Sequence, residues 1–209
     1  MKVKICGITD KTNLDEILKL NPDYLGFIFF PASPRYMADK LDPEDLLIIP
    51  KKVKRVGVFV NADVYEIDGI YWKYNLDFVQ LHGDESPSFC RQLNETGIKI
   101  IKAFRLDEDF DFDRLLDYVS YCDYFLFDTN TKDYGGSGLK FNWEILHRYK
   151  TGHPFFLSGG IGPYDARELK IINHAAYFGI DLNSRFETSP GMKNIGQLSY
   201  YFKKLKNDK

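Results

Sequence analysis

The chain has little of what would frame a small secreted or metal-built fold. Its three cysteines, Cys6, Cys90 and Cys122, are odd in number and lack a pairing or metal spacing. That excludes a disulfide scaffold and fits a reducing cytoplasm. The four histidines, His82, His147, His153 and His174, do not cluster as a zinc site would, so no metal is expected. An excess of one charge is also missing. With 28 Lys and Arg against 30 Asp and Glu, the formal net charge is −2, and nothing marks a nucleic-acid or membrane surface. No apolar run approaches the roughly 20 residues that span a bilayer. The first strand follows Met1 so closely that no secretory leader is expected. No break in composition marks a linker, so residues 1–209 read as a single domain. What is abundant is aromatic: 17 Phe and 14 Tyr predict a ring-rich core.

Strand and helix patterns alternate along the chain. Val3 and Ile5 alternate with lysines in a first strand that stops at Gly7, and Thr9-Asp10 caps a helix to about Lys19. Tyr24–Phe30 is a continuous apolar run, as for a strand buried on both faces. Further strands are expected at 55–60, 78–82, 99–104, 124–128, 154–157 and 176–180. Helices are expected from Asp42-Pro43, from Asp63 to about Tyr74, from Ser86-Pro87 to about Glu95, over 111–119, after Asn142, over 164–172 and over about 195–206. Eight strands alternating with eight helical segments, roughly 25 residues per unit, call for parallel strands and right-handed crossovers. Eight such units close into a (β/α)8 barrel of the TIM-barrel architecture, α/β in class. The rival is a doubly wound open sheet; no Gly-x-Gly-x-x-Gly follows the first strand, which disfavours a dinucleotide version.

A barrel gathers its strand ends into one mouth. There the sequence supplies Cys6, Arg35 in the two-proline loop after strand two, Asn61, His82, Arg105, Asp128, Ser158-Gly159-Gly160 and Asp181. Each alone has a plain explanation: a small buried thiol, a turn-forming Asp, a His satisfied under a loop, a surface Arg. The combination of thiol, carboxyl, guanidiniums and glycine-rich loops is more informative. Gly159-Gly160 after strand seven and Asn183-Ser184 after strand eight stand where barrels bind phosphate through backbone N–H groups. Gly135-Gly136-Ser137-Gly138 after strand six reads as a lid or as a flexible loop.

Taken in order, Lys4-Ile-Cys-Gly-Ile-Thr9, Gly26-Phe-Ile-Phe with Ser33-Pro-Arg35, Val56–Asn61, Val79-Gln-Leu-His-Gly83, Phe127-Asp128, Gly135–Gly138, Ser158–Gly160 and Pro190-Gly-Met-Lys193 resemble the phosphoribosylanthranilate isomerase family from residue 2 to about 194. The resemblance implies a cofactor- and metal-free (β/α)8 enzyme of tryptophan biosynthesis. It would be cytoplasmic, a monomer or homodimer, and act on a small phosphosugar without nucleic acid or membrane. It implies Cys6 as general base and Asp128 as general acid. Arg35 would bind the anthranilate carboxylate. His82 would bind substrate, and Gly159, Gly160, Asn183 and Ser184 would hold the ribose phosphate. The run Asp181-Leu-Asn-Ser-Arg-Phe-Glu187 departs from the family's usual Ser-Gly pair and small residues, with Arg185 either adding a phosphate contact or pointing outward; Ser137 replaces a common Thr.

The implied Amadori rearrangement needs an acid at the ribose ring oxygen and a base at the neighbouring sugar carbon. Unaided, a thiol near 8.5 and a carboxyl near 3.9 are in the wrong states at neutral pH. Nearby cations or a helix amino end must lower the thiol, and desolvation must raise the acid. Lys4 and Arg105 are both candidates for tuning Cys6. Another phosphosugar barrel enzyme, such as an epimerase or a histidine-pathway aminoaldose isomerase, would share the phosphate loops; the latter's two aspartates argue against it, given Cys6. A non-catalytic phosphosugar-binding protein is the alternative of another class.

Overall fold

The computed structural model describes residues 1–129 and 142–207. The Gly135–Gly138 segment lies outside the described residues. Eight strands form a closed parallel barrel in sequence order: β1 (Lys2–Cys6), β2 (Tyr24–Ile28), β3 (Lys54–Phe59), β4 (Phe78–Leu81), β5 (Ile100–Leu106), β6 (Tyr124–Thr129), β7 (Phe155–Leu157) and β8 (Tyr177–Leu182). Closure comes from β1, which pairs with β2 through Lys4 and Tyr24 and with β8 through Lys4 and Asp181.

The crossovers are more varied than the periodicity predicts. Four are α-helical, α1 (Lys11–Leu18), α2 (Val64–Lys73), α3 (Pro87–Asn94) and α4 (Ala166–Ile171), and a further helix, α5 (Ile195–Asn207), follows the barrel. Caps fix the starts of three of them. Asp10 accepts the Asn13 N–H at 2.7 Å, Asp63 that of Glu66 at 2.9 Å, and Ser86 that of Phe89 at 3.2 Å. The segments after β2, β5 and β6 are six-residue 3-10 helices, Pro43–Ile48, Asp113–Tyr118 and Trp143–Arg148. Six residues leave space for few i→i−4 bonds, so the tighter turn is accessible. The expected polar loop after β8 contains a 3-10 turn (Ser184–Phe186) and a small antiparallel pair, β9 (Glu187–Ser189) and β10 (Met192–Lys193), turned by Pro190-Gly191.

Two apolar layers hold the barrel. Val3, Ile5, Leu25, Phe27, Val79, Leu81, Phe125 and Phe127 point outward, into a core shared with the helices. Inside, Tyr24, Phe78, Tyr124 and Phe178, one from each even-numbered strand, fill the amino-terminal end with Phe156. Phe156 meets Tyr24, Tyr124 and Phe178 at ring-centroid distances of 5.2, 5.5 and 5.2 Å. Alternate strands furnishing one layer is the expected packing of such a barrel.

The residue before three of these rings is an aspartate that clips the preceding strand. Asp23 accepts the Val3 N–H at 2.9 Å, Asp77 that of Arg55 at 2.9 Å, and Asp123 that of Ile100 at 2.8 Å. The floor of the barrel is therefore aromatic and its strand starts are satisfied. The polar residues are left to the opposite end.

Candidate functional site

Strand alternation aims the polar residues into the barrel. Lys4 and Cys6 are two apart on β1, as are Gln80 and His82 at the end of β4, with outward-facing Ile5 and Leu81 between them. Asp128 is the penultimate residue of β6, Asp181 the penultimate residue of β8, and Ser158 follows β7. All are buried.

On one side of the mouth, Asp128 Oδ1 accepts the Thr129 N–H at 2.8 Å, and Oδ2 lies 3.1 Å from His82 Nε2. His82 Nδ1 is in turn 2.8 Å from Gln80 Nε2. The loop after β7 packs directly on this carboxyl. Gly159 has φ +82°, and a Cβ there would stand 2.9 Å from Asp128 Oδ1 and 2.7 Å from the Thr129 nitrogen. Only glycine combines that backbone with that approach. Behind His82, Glu85 accepts the N–H groups of Asn61 and Gly83 and pairs with Lys102 at 3.1 Å, fixing the loop after β4.

On the other side, Lys4 is wholly buried and its Nζ lies 3.0 Å from Asp181 Oδ1. Burial pushes the Cys6 thiol up; Lys4 and Lys193 oppose that push, Asp181 adds to it, and the net direction is upward. The sequence-based expectation that cations bring the thiol down is therefore not met in the free protein, because the same burial that delivers Lys4 also removes water and brings in Asp181. Burial likewise raises Asp181, against the partial offset of Lys4. Burial works against the Lys4 ammonium, but Asp181 and Cys6 outweigh it and hold Lys4 above its usual value. Of the two candidate tuners, Lys4 reaches Cys6, whereas Arg105 Nη2 is paired with Asp84 Oδ1 at 2.6 Å.

A third group forms at the rim. Arg35 Nε lies 3.0 and 3.1 Å from the two Glu187 oxygens, and Nη2 lies 2.7 Å from Oε2. Lys193 Nζ donates to Glu187 Oε1 at 2.6 Å and to Asn183 Oδ1 at 2.8 Å. Burial would raise the Glu187 carboxyl, but Arg35 and Lys193 together hold it below the usual range. Burial lowers Lys193 despite Glu187. Asn13 anchors this hairpin to α1, donating to the Lys193 carbonyl at 3.0 Å and accepting its N–H at 2.8 Å. Gly7, at φ +77°, is pressed between Arg35 and Asn183; a Cβ there would stand 2.8 Å from each side chain.

The structure thus brings Cys6, Arg35, His82, Asp128, Gly159 and Asn183 to one rim. Gly160 follows with φ +66°, and Ser184 opens the 3-10 turn after β8. Arg185 is exposed and Phe186 is buried against Tyr201 on α5, with ring centroids 5.0 Å apart, so the departures in that run are packed apart from each other. Asn61 serves the loop, accepting the Asp84 N–H at 2.8 Å. Sequence reasoning gave no role to Gln80, Glu187 or Lys193. Gln80 shared the alternation of His82, and Lys193 stood in a quoted motif; Glu187 gave no local signal. Among the described residues, no group of three or more His, Cys, Asp or Glu could hold a metal ion, and no helix is long and apolar enough to cross a membrane.

Residues 3–204 match the family model described as N-(5'-phosphoribosyl)anthranilate (PRA) isomerase. The N-(5'-phosphoribosyl)anthranilate isomerase of Parabacteroides distasonis is 40% identical over 209 residues, covering 98% of this chain and 93% of that protein. The crystal structure of the phosphoribosyl anthranilate isomerase from Thermus thermophilus superposes with a TM-score of 0.86 at 28% identity, covering 98% of each chain. A phosphoribosyl anthranilate isomerase in complex with reduced 1-(o-carboxyphenylamino)-1-deoxyribulose 5-phosphate superposes with a TM-score of 0.79 at 31% identity, covering 99% of this chain and 98% of that one.

Proposed function

The chain belongs to the N-(5'-phosphoribosyl)anthranilate isomerase family and is an aldose–ketose isomerase of tryptophan biosynthesis; from that premise we propose that Cys6 and Asp128 are its general base and general acid. The observation that carries this reading is the arrangement of the two groups. A thiol ending β1 and a carboxyl ending β6 share one mouth, and Asp181 faces both.

Asp128 protonates the ribose ring oxygen and the ring opens to an imine. Cys6, as thiolate, takes the proton from the adjacent sugar carbon, and the enolamine tautomerises to the ketone. Lys4 is the cation that supports the thiolate, with Lys193 second. Lys4 favours the thiolate against burial and Asp181, so the base depends on that ammonium. Arg35, held at the rim by Glu187 through Nε and Nη2, binds the anthranilate carboxylate. Backbone N–H groups at Gly159, Gly160, Asn183 and Ser184 hold the phosphate.

Residues 1–209 act as one barrel domain, in the cytoplasm, as a monomer or homodimer whose partner is the small phosphosugar. The test is turnover of freshly generated phosphoribosylanthranilate, followed by loss of anthranilate fluorescence, with Asp128→Asn and Cys6→Ser alongside. Each variant is expected to lose most of kcat, by roughly 10²–10⁴-fold. Turnover near wild type in either variant removes that residue from its role.

A further inference from the structure

We propose that Gln80 is a positioning residue that acts through His82 to let one site accommodate both protonation states of Asp128. The proposal rests on Asp128 being the acid. Gln80 and His82 face the barrel interior from β4, 1% and 9% exposed, and form an unbranched line to the carboxyl: Gln80 Nε2 to His82 Nδ1 at 2.8 Å, then His82 Nε2 to Asp128 Oδ2 at 3.1 Å.

A neutral imidazole has one donor and one acceptor nitrogen, so the group at Nδ1 decides what Nε2 offers. With the amide NH2 of Gln80 toward Nδ1, that nitrogen accepts. Nε2 then carries the hydrogen and donates it to Asp128, which suits an ionised carboxylate. This orientation leaves Gln80 Oε1 buried without a hydrogen-bond partner. A half-turn of the amide brings Oε1 to Nδ1, which must then carry the hydrogen. Nε2 becomes an acceptor, which suits Asp128 as a carboxylic acid. The two arrangements differ by one proton. The imidazole keeps one hydrogen in both, on Nε2 in the first and on Nδ1 in the second, and the added proton is the one on Asp128 Oδ2.

The isomerisation takes up no net proton, so Asp128 must regain in each turnover the proton it gives to the ring oxygen. An amide can answer both states because its two ends are of similar size and opposite hydrogen-bonding sense; a carboxylate or an alkyl group cannot. Among the described residues, Asp181 of β8 faces both Asp128 and His82 and is paired with Lys4 of β1 next to the Cys6 thiol, while the Lys102–Glu85 pair lies behind His82.

The experiment combines ring-nitrogen NMR of 15N-histidine-labelled protein with steady-state kinetics on wild type, Gln80→Leu, Gln80→Glu and Asp128→Asn, the His82 signals being assigned with His82→Asn. Gln80→Leu is expected to give mixed His82 tautomers and to lower kcat about tenfold to a hundredfold with KM changed less than about threefold. Gln80→Glu, which only accepts at this position, is expected to fix the hydrogen on Nδ1 and to lower kcat as well. Should Gln80→Leu fail to fold, the Glu variant alone decides. Unchanged His82 nitrogen shifts, an unchanged kcat, or a loss confined to KM would overturn the proposal. If Asp128→Asn is inactive while both Gln80 variants turn over normally, the role of Gln80 alone is refuted. If Asp128→Asn is fully active, the acid assignment falls first.

Discussion

Arg35 and Glu187, 152 residues apart in the chain, meet through three hydrogen-bond contacts of 2.7–3.1 Å, with side chains only 11% and 4% exposed. The same carboxylate accepts from Lys193, so one negative charge holds two cations at the rim. Glu187→Gln keeps the shape and removes the charge. Stability is expected to fall by about 3 kcal/mol, since two buried cations lose their counterion, and KM to rise as Arg35 loosens. Chemical denaturation and steady-state kinetics measure both. Glu187 binds its proton more weakly folded than unfolded, so its contribution is complete above its ordinary value of 4.5 and is lost as pH falls through the lower folded value. The wild-type protein should therefore lose stability below that pH more steeply than Glu187→Gln.

Lys4→Met removes the cation nearest Cys6 and leaves Asp181 without its partner. The thiol is expected to rise further and kcat at pH 7 to fall about tenfold or more, recovering in part at higher pH. Thiolate absorbance in a Cys90→Ser/Cys122→Ser background would follow the titration directly.

Gly159→Ala puts a methyl against Thr129 and Asp128 at a backbone angle that L-residues disfavour by about 1–2 kcal/mol. The β7 loop must retreat from the carboxyl. We expect kcat/KM to drop about tenfold or more, with the protein still folded by circular dichroism.

Phe156→Ala opens the aromatic floor. The expected cost is about 3–5 kcal/mol of stability, read as a lower denaturation midpoint. Because the change lies at the opposite end of the barrel from the acid and the base, kcat below the transition should stay within about threefold.

Most strands were legible as short apolar runs bounded by turn residues, and eight of them alternating with helical segments favoured a closed barrel over an open sheet. The crossovers were less so: six residues such as Pro43–Ile48 carry too few turns for periodicity to separate an α-helix from a 3-10 helix. Lys4 shows a different limit. Alternation of Val3 and Ile5 with lysines reads as one wet face, yet in a closed barrel the second face is the interior, and Lys4 is fully buried against Asp181. The thiol and acid were visible as residue types at strand ends. Glu187 was not, because its meaning comes from Arg35 and Lys193, which only folding brings together.

The aromatic floor gives the molecule a direction. Rings from β2, β4, β6, β7 and β8 fill the amino-terminal end, so among the described residues the approach to the site is from the rim. Substrate and product must pass the same threshold, one leaving before the next can enter. Any residue that narrows the rim slows arrival and departure alike.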